Sequence, residues 1–213
     1  MEILAEEGAM HRDLHNQKQG RLVVVEGIDG AGKSSVLRVL EASCLAHDRP
    51  CVVSHEPTNG PWGRKLRESA RTGRLPLDEE LSLFQKDRAE HVGAIIQPAI
   101  NKGSVVLLDR YYFSNAAYQG ARGADPESIL VANERFAPQP DLVLLLDLDP
   151  KQGRSRIHGR GDVPDDFEAL DALERVRQIF LNIRRPYFRR IDASRPQDDV
   201  SNEALALFEP LLG

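Results

Sequence analysis

The segment 27–34 reads G-I-D-G-A-G-K-S and carries residues that can hold phosphate groups. Its spacing is G-x-x-x-x-G-K-[ST], and it directly follows a short apolar run at 22–25. Glycines let successive backbone N–H groups point at phosphate oxygens, and a helix that begins near Lys33 adds the positive end of its dipole. Lys33 can then reach the β- and γ-phosphates, while the Ser34 hydroxyl can ligate Mg²⁺. This segment predicts a site for a nucleoside triphosphate with Mg²⁺.

Asp109 and Arg110 follow a second apolar run, at 105–108. Ligands of open parallel sheets bind at the carboxyl ends of the strands, where these two side chains are expected. An acid there can hold Mg²⁺ through water, and a guanidinium can bridge the phosphates of a donor and an acceptor. A purely structural ion pair between the two residues is the alternative interpretation.

Short apolar runs recur along the chain and predict the strands that position these residues. They lie at 22–25, 51–53, 105–108 and 142–146, with a weaker candidate at 189–193. Continuous apolar runs suit strands that are buried on both faces, as in a parallel sheet covered by helices. Helices are predicted at 33–46, at 78–101 with a kink at Pro98, and at 170–185.

The segment 153–166 is rich in arginine and glycine and is predicted to be a mobile basic loop. An ordinary solvated surface loop is the alternative. In either case the segment brings Arg154, Arg156 and Arg160 close together in sequence. Such a cluster could place positive charge beside a bound phosphate.

Composition restricts the class of protein. The 213 residues are 41% hydrophobic and 29% charged, which is typical of a soluble globular chain with one sizeable core, and a single α/β domain is the simplest expectation. A net charge of −5 argues against a broad grip on nucleic acid, and no apolar run approaches the roughly 18 residues that a membrane span needs. Cys44 and Cys51 lack metal-type spacing and are expected to be reduced. We therefore expect a cytoplasmic domain at 21–213, preceded by a flexible extension at 1–20 without a secretory signal.

Several segments resemble the thymidylate kinase family. Residues 109–120 read D-R-Y-Y-F-S-N-A-A-Y-Q-G, close to the family's D-R-[YH]-x-x-S-x-x-A-Y-Q-G, and 26–34 are similar to its E-G-x-[DE]-G-x-G-K-[ST]. The likeness continues through E-P at 56–57, F-Q-K-D-R at 84–88, P-D at 140–141, Asp147 and Pro150, and I-D-A at 191–193. It spans about residues 21–195 and looks like the bacterial type, which has arginines in its lid.

The resemblance implies a fold and an activity. The fold is α/β: a P-loop NTPase of the nucleoside monophosphate kinase type, with three layers (α/β/α), a five-stranded parallel sheet and a lid near 151–166. The implied activity is transfer of the γ-phosphate of ATP to dTMP with Mg²⁺, by a homodimer that binds neither nucleic acid nor membrane. A kinase with another or broader acceptor, such as dUMP, and a noncatalytic nucleotide-binding switch are the alternatives.

The resemblance also implies roles for individual residues. The ATP site would comprise Gly27, Ile28, Asp29, Gly30, Ala31, Gly32, Lys33, Ser34, Ser35 and Arg156. The dTMP site would comprise Asp29, His55, Phe84, Arg88, Arg110, Ser114, Tyr118 and Gln119. The catalytic residues would be Lys33, Asp109, Arg110, Arg154 and Arg160, and the metal ligands Ser34 and Asp109.

Phe84 and Arg88 are four residues apart, so one face of a helix can present both to a base. Phe84 would stack on the thymine ring, and Arg88 would hydrogen-bond to its edge. Without the resemblance, Phe84 would be read as a core residue and Arg88 as a surface ion-pair partner.

Two positions depart from the family pattern. His55 stands where an arginine usually holds the acceptor phosphate, and histidine is a weaker, pH-dependent cation. That phosphate could instead be held by a cation of the following helix or chiefly by Arg110; the helix candidates are Arg64, Lys65 and Arg67. The second departure is Asn115, which replaces the usual Ser or Thr and keeps the position polar.

Overall fold

The computed structural model describes residues 19–158 and 167–213. The described strands are β1 (Arg21–Glu26), β2 (Cys51–His55), β3 (Val105–Asp109), β4 (Leu142–Asp147) and β5 (Phe188–Asp192). The described helices are α1 (Lys33–Ala46), α2 (Pro61–Thr72), α3 (Leu77–His91), α4 (Gln97–Asn101), α5 (Tyr112–Gly120), α6 (Pro126–Glu134), α7 (Pro150–His158), α8 (Phe167–Asn182) and α9 (Gln197–Phe208). A π-helical segment, Val92–Ile96, joins α3 to α4, and a 3₁₀ turn, Glu209–Leu211, follows α9.

The five strands form one parallel sheet in the order β2-β3-β1-β4-β5. The central strands β1, β3 and β4 are almost completely buried, which agrees with their uninterrupted Val and Leu content. The register places Asp109 opposite both Val25 and His55. The carboxyl ends of β1, β2 and β3 therefore meet at one edge of the sheet, which confirms the predicted α/β fold.

Helices flank this sheet and complete the core. The first helix, α1, packs against the last, α9, while α5 packs against α6 and α8. The buried side chains that these helices add include Val36 and Leu40 from α1 and Phe113 from α5. No helix within 19–158 or 167–213 is long and apolar enough to cross a membrane.

The long helix predicted at 78–101 is present, but its backbone pattern changes within it. At its π-helical segment the N–H of Gln97 donates to the Val92 carbonyl, five residues earlier. Pro98 follows directly, in the first turn of α4, where its missing N–H costs least. The irregularity thus lies just before the proline, where the sequence placed a kink.

The prediction of a loop at 153–166 is wrong for its first part, because residues 153–158 continue α7. Pro150 is the first residue of this helix, and its fixed φ favours a helix start. The Asp149 carboxylate accepts the N–H of Lys151 at 2.8 Å, and the Asp149 carbonyl accepts that of Gly153 at 3.0 Å. The rest of that segment, 159–166, lies outside the described residues and includes Arg160. Of the extension predicted at 1–20, residues 1–18 lie outside them as well.

Candidate active site

Two cavities adjoin at the carboxyl ends of β1, β2 and β3. The first, of about 540 Å³, is called the P-loop cavity and is lined by Asp29, Gly30, Gly32, Lys33, Ser34, Ser35, Arg38, His55, Glu56, Asp109, Arg110 and Ile157. The second, of about 220 Å³, is called the aromatic cavity and is lined by Asp29, Glu56, Pro57, Leu66, Arg67, Ala70, Arg74, Glu80, Phe84, Arg88, Arg110, Tyr111, Ser114, Asn115, Tyr118 and Gln119.

Both cavities have Asp29, Glu56 and Arg110 in their walls. A cavity of about 560 Å³ beside β5 and the end of α8 is larger than either, but it is lined by no residue that the sequence predicted for the site. The shared wall therefore locates the site better than cavity size does.

Glycine is required in the P-loop because the backbone turns there in the left-handed region. The φ angles of Gly30 and Gly32 are 83° and 98°, and Gly32 lies immediately before α1. A Cβ on Gly30 would also lie 2.4 Å from the Gly153 carbonyl oxygen. The loop thus packs backbone to backbone against α7.

Lys33 is buried at the base of the P-loop cavity. Its Nζ donates to the Ile28 carbonyl at 3.2 Å and lies 3.5 Å from Asp29 Oδ1. Burial and the neighbouring Arg110 cation together lower the pKa of Lys33, although Asp29 and Asp109 oppose this effect. The ammonium group is therefore placed where additional negative charge would be strongly attracted.

The beginning of α7 lies beside the P-loop and brings two of the predicted lid arginines with it. Arg156 Nη1 is 3.5 Å from the Gly30 carbonyl oxygen, and Ile157 lines the P-loop cavity. Arg154 lies in the same helix, two residues before Arg156. The helix α7 thus places the cationic side chain of Arg156 beside the P-loop.

The predicted metal residues Ser34 and Asp109 line the P-loop cavity together. Asp109 Oδ1 is buried and has no hydrogen-bond partner among the described residues. A hard cation or its bound water would satisfy this oxygen, so the two residues fit Mg²⁺. No group of three or more His, Cys, Asp or Glu within 19–158 and 167–213 could hold a metal alone. The donor set therefore suits a cation that a triphosphate largely ligates itself.

Arg110 connects the two cavities. Its Nη2 donates to Asp29 Oδ1 at 2.5 Å, its Nη1 donates to Ser114 Oγ at 3.0 Å, and its guanidinium lies 5.2 Å from the centre of the Tyr118 ring. Its φ of 68° is unusual for a residue with a side chain. The surrounding structure holds this strained backbone, which directs a cation between the cavities.

The Asp29 carboxylate contacts a cation of each cavity. The side chain of Asp29 is 72% exposed to solvent. Neighbouring protein atoms still remove part of the water around the carboxylate, and this desolvation opposes its ionisation. The Arg110 and Lys33 cations overcome that effect and lower the pKa of Asp29. Asp29 is therefore ionised at neutral pH.

Glu26 is fully buried and fixes the beginning of α5. Its Oε1 accepts the N–H groups of Tyr111 at 2.8 Å and Ser114 at 3.1 Å, and its Oε2 accepts Ser114 Oγ–H at 2.5 Å. Burial raises the pKa of Glu26 to about 7, against the effect of these hydrogen bonds and of Arg110. Our sequence analysis gave this residue no role, although it begins one of the matching segments.

Arg88 enters the aromatic cavity from α3 and is almost completely buried. Its Nε and Nη2 donate to Glu56 Oε2 at 2.9 and 2.6 Å, and its Nη1 donates to Asn133 Oδ1. The alternative of a surface ion pair is therefore wrong for Arg88. Phe84 is half-buried and lines the cavity, so a pure core role does not describe it either.

His55 is exposed at the end of β2 and lines the P-loop cavity, whereas the aromatic cavity is lined by other cations. Of the alternatives for the acceptor phosphate, Arg67 and Arg110 line the aromatic cavity. Arg67 donates to the Pro57 carbonyl at 2.7 Å and to Asn59 Oδ1 at 3.1 Å. Position in sequence alone left these alternatives open.

Arg64 and Lys65 lie outside the residues that line the aromatic cavity. Arg64 donates to the Asn59 carbonyl at 2.8 Å, and Lys65 is paired with Glu79 at 3.1 Å. These two cations are exposed on the outer face of α2.

Gln119 is buried, and its amide is engaged on both sides. Its Nε2 donates to Glu80 Oε2 at 3.1 Å, and its Oε1 accepts from Asn115 Nδ2 at 2.8 Å. Asn115 Oδ1 is buried and has no hydrogen-bond partner among the described residues. The free acceptor in this part of the aromatic cavity therefore belongs to Asn115, which the sequence noted only as a departure from the family.

Comparisons with known proteins agree with this geometry. The profile of the family described as Thymidylate kinase matches residues 25–204. The chain is 50% identical to the thymidylate kinase of Xanthomonas campestris pv. campestris (strain B100) over 188 residues, 88% of this chain and 82% of that protein. It is 49% identical to the thymidylate kinase of Akkermansia muciniphila over 185 residues, 87% of this chain and 89% of that protein.

Proposed function

Because the chain belongs to the thymidylate kinase family, we propose that it transfers the γ-phosphoryl group of ATP to dTMP, giving ADP and dTDP for dTTP synthesis. One observation carries the proposal: a phosphate-binding cavity and a base-sized cavity share Asp29 and Arg110. Two phosphorylated substrates held in these cavities would meet at a cation. That is what transfer between phosphates requires.

The donor triphosphate lies in the P-loop cavity in this proposal. Backbone N–H groups of the glycine-rich loop and the beginning of α1 bind its phosphates, and Lys33 stabilises the charge of the transferring group. Ser34 and Asp109 would hold Mg²⁺. Held there, Mg²⁺ would supply positive charge that neutralises the phosphates.

The acceptor base lies in the aromatic cavity. Phe84 supplies a ring face for stacking, and Arg88 supplies N–H donors from a guanidinium that Glu56 and Asn133 hold in place. The free Asn115 Oδ1 suits the N3–H of thymine, which is a donor. This pattern of a donor beside an acceptor matches the O4 and N3–H edge of the base.

The resemblance assigns the deoxyribose to residues of the shared wall. Asp29 would contact the 3′-hydroxyl, and the ring of Tyr118 would exclude a ribose 2′-hydroxyl. Ser114, which is hydrogen-bonded to Glu26 and Arg110, lines the same cavity. We assign the acceptor phosphate to Arg110 and Arg67, since both cations line the aromatic cavity.

The protein must position the two substrates and stabilise the charge of the transferring phosphoryl group. It needs no covalent intermediate, because phosphoryl transfer passes through a loose transition state. Lys33 and Arg110 supply cations from the buried side of the site. The arginines of the lid would supply the remainder from the open side, namely Arg154, Arg156 and Arg160, of which Arg160 lies outside the described residues.

An ADP-release assay with each nucleoside monophosphate in turn tests the proposal. We expect dTMP to give the highest kcat/KM. A chain that turned over another acceptor and left dTMP at background would contradict the substrate assignment. A chain that bound ATP but released no ADP with any acceptor would favour the noncatalytic switch.

Three expectations from the sequence stay predictions: the Mg²⁺ requirement, the homodimer and the cytoplasmic location. Titrating the assay with EDTA and Mg²⁺ checks the first. Sedimentation velocity of the purified chain checks the second, and fractionation of cells that express it checks the third.

A further inference from the structure

A chain of hydrogen bonds in the aromatic cavity runs from a carboxylate to two amides. Arg122 Nη1 donates to Glu80 Oε2, which also accepts from Gln119 Nε2 at 3.1 Å. Gln119 Oε1 then accepts from Asn115 Nδ2 at 2.8 Å. Glu80 is 4% exposed, Gln119 and Asn115 are 2% exposed, and water therefore has little access to the chain.

The direction of this chain follows from its first member. An amide has a donor end and an acceptor end of nearly the same shape, so a row of amides could in principle point either way. An ionised carboxylate accepts only, and Glu80 forms an ion pair with Arg122. Gln119 must therefore turn its NH₂ group toward Glu80. Its oxygen then faces Asn115, a residue that lines the aromatic cavity and whose own oxygen has no partner among the described residues.

We propose that Glu80 is a positioning residue that sets base specificity by fixing the direction of the Gln119 and Asn115 amides. The inference rests on the proposed function, since it concerns the acceptor in the same cavity. With Asn115 Oδ1 presented, the cavity favours bases with an N3–H donor, namely thymine and uracil. Cytosine has an acceptor at N3 and would leave two acceptors facing each other.

Two substitutions at this position separate polarity from shape. Both substitutions are made together with Arg122→Met, because Arg122 donates to the same oxygen and would otherwise keep an oxygen there. In that background Glu80→Gln keeps the shape but can present either NH₂ or oxygen to Gln119, so the chain can reverse. Glu80→Asp is shorter but still accepts only, so the direction is kept. We expect the ratio of kcat/KM for dTMP to that for dCMP to fall at least about tenfold in Glu80→Gln, chiefly through KM. The ratio is expected to stay near the wild-type value in Glu80→Asp.

Glu79→Gln is the matched control, because Glu79 lies on the same turn of α3, is exposed and pairs with Lys65. It should leave the ratio and the KM for ATP unchanged. A residue that merely supported packing would give the opposite order at position 80, with the shortened Asp more damaging than the isosteric Gln.

A folded Glu80→Gln variant in the Arg122→Met background that keeps the wild-type ratio overturns the inference. If that variant does not fold, as judged by circular dichroism and thermal unfolding, Gln119→Met carries the test. This variant keeps Glu80 and interrupts the chain, so the ratio must fall in it as well; an unchanged ratio overturns the inference. Failure of the proposed function is distinguishable, because it would appear in the wild-type chain as a lack of dTMP turnover.

Discussion

The walls of the two cavities are built in different ways. Most of the residues that line the P-loop cavity come from one stretch of the chain, 29–38, and in the proposed function this stretch binds phosphates through backbone N–H groups. The aromatic cavity is made by side chains from α2, α3 and α5, which are separated along the chain and joined by buried charged hydrogen bonds. The first wall is a local property of the sequence, whereas the second exists only when distant helices meet. Their sensitivity to substitution should differ accordingly.

Substitution in the wall of the aromatic cavity should cost more stability than substitution in the wall of the P-loop cavity, because the aromatic cavity contains the buried ion pair between Arg88 and Glu56. Arg88→Met leaves the Glu56 carboxylate buried without its guanidinium partner, and we expect a loss of about 3–5 kcal/mol in the free energy of unfolding. Urea unfolding measures this loss. Lys65→Met is the control, because it breaks the exposed pair with Glu79 and should cost under about 1 kcal/mol. Equal costs would refute the contrast between the walls.

The P-loop cavity should instead lose activity with little loss of stability. Lys33→Ala removes the ammonium group that lies near the transferring phosphate, and we expect kcat to fall by about 10²–10³-fold. Steady-state kinetics at saturating ATP and dTMP measure it. Turnover that was unchanged would contradict the assignment of the phosphate site, and the far-ultraviolet circular dichroism spectrum should match that of the wild type.

Glu26 lies buried beneath the beginning of α5, where it holds Ser114, and its ionisation should make stability depend on pH. Burial raises its pKa from 4.5 to about 7, so the folded state binds the proton more tightly than the unfolded state. The stabilisation from the neutral form is complete below about pH 4.5 and is lost as the pH rises through about 7. The total is on the order of 3 kcal/mol.

Glu26→Gln cannot titrate, so the free energy of unfolding of the wild type should fall relative to this variant between pH 5 and pH 8. Urea unfolding at several pH values measures the difference. Parallel pH profiles for the two proteins would show that Glu26 does not titrate in this range.

The smallest expected effect concerns the acceptor phosphate. Arg67→Gln should raise the KM for dTMP at least about tenfold, because a charged hydrogen bond from the cavity wall is lost. Arg64→Gln, one turn away on the exposed side of α2, should change it less than about twofold. A larger rise in the KM for dTMP in Arg64→Gln than in Arg67→Gln would contradict our placement of the acceptor phosphate in the aromatic cavity.

The sequence predicted the fold well because its signals were local. Val- and Leu-rich runs marked the first four strands, a weaker run at 189–193 marked β5, and the glycine spacing marked the P-loop. The prediction was wrong at 153–158, where arginine and glycine suggested a loop. There the Asp149 carboxylate and Pro150 start a helix that composition did not reveal.

The acceptor wall could be predicted only through family resemblance, and then incompletely. Nothing local indicates that Arg67 lines the aromatic cavity while Arg64 does not, since that depends on how α2 packs. The free oxygen of Asn115 depends on Gln119 and Glu80, and Glu80 belongs to a different helix. The identity and spacing of residues in the sequence show which polar groups are available. Which of their atoms stay free of hydrogen bonds depends on residues that are brought together only in the folded protein.

The Asp29 carboxylate lies 2.5 Å from a nitrogen of Arg110 and 3.5 Å from Lys33 Nζ, so one anion is held by a cation from each cavity. A phosphate that enters one cavity competes with this carboxylate for its cations and so changes the electrostatic environment of the other cavity. Thermodynamics then demands reciprocity: the factor by which ATP changes the affinity for dTMP must equal the factor by which dTMP changes the affinity for ATP. Because the two cavities share Asp29, the affinity for ATP and the affinity for dTMP are expected to depend on each other.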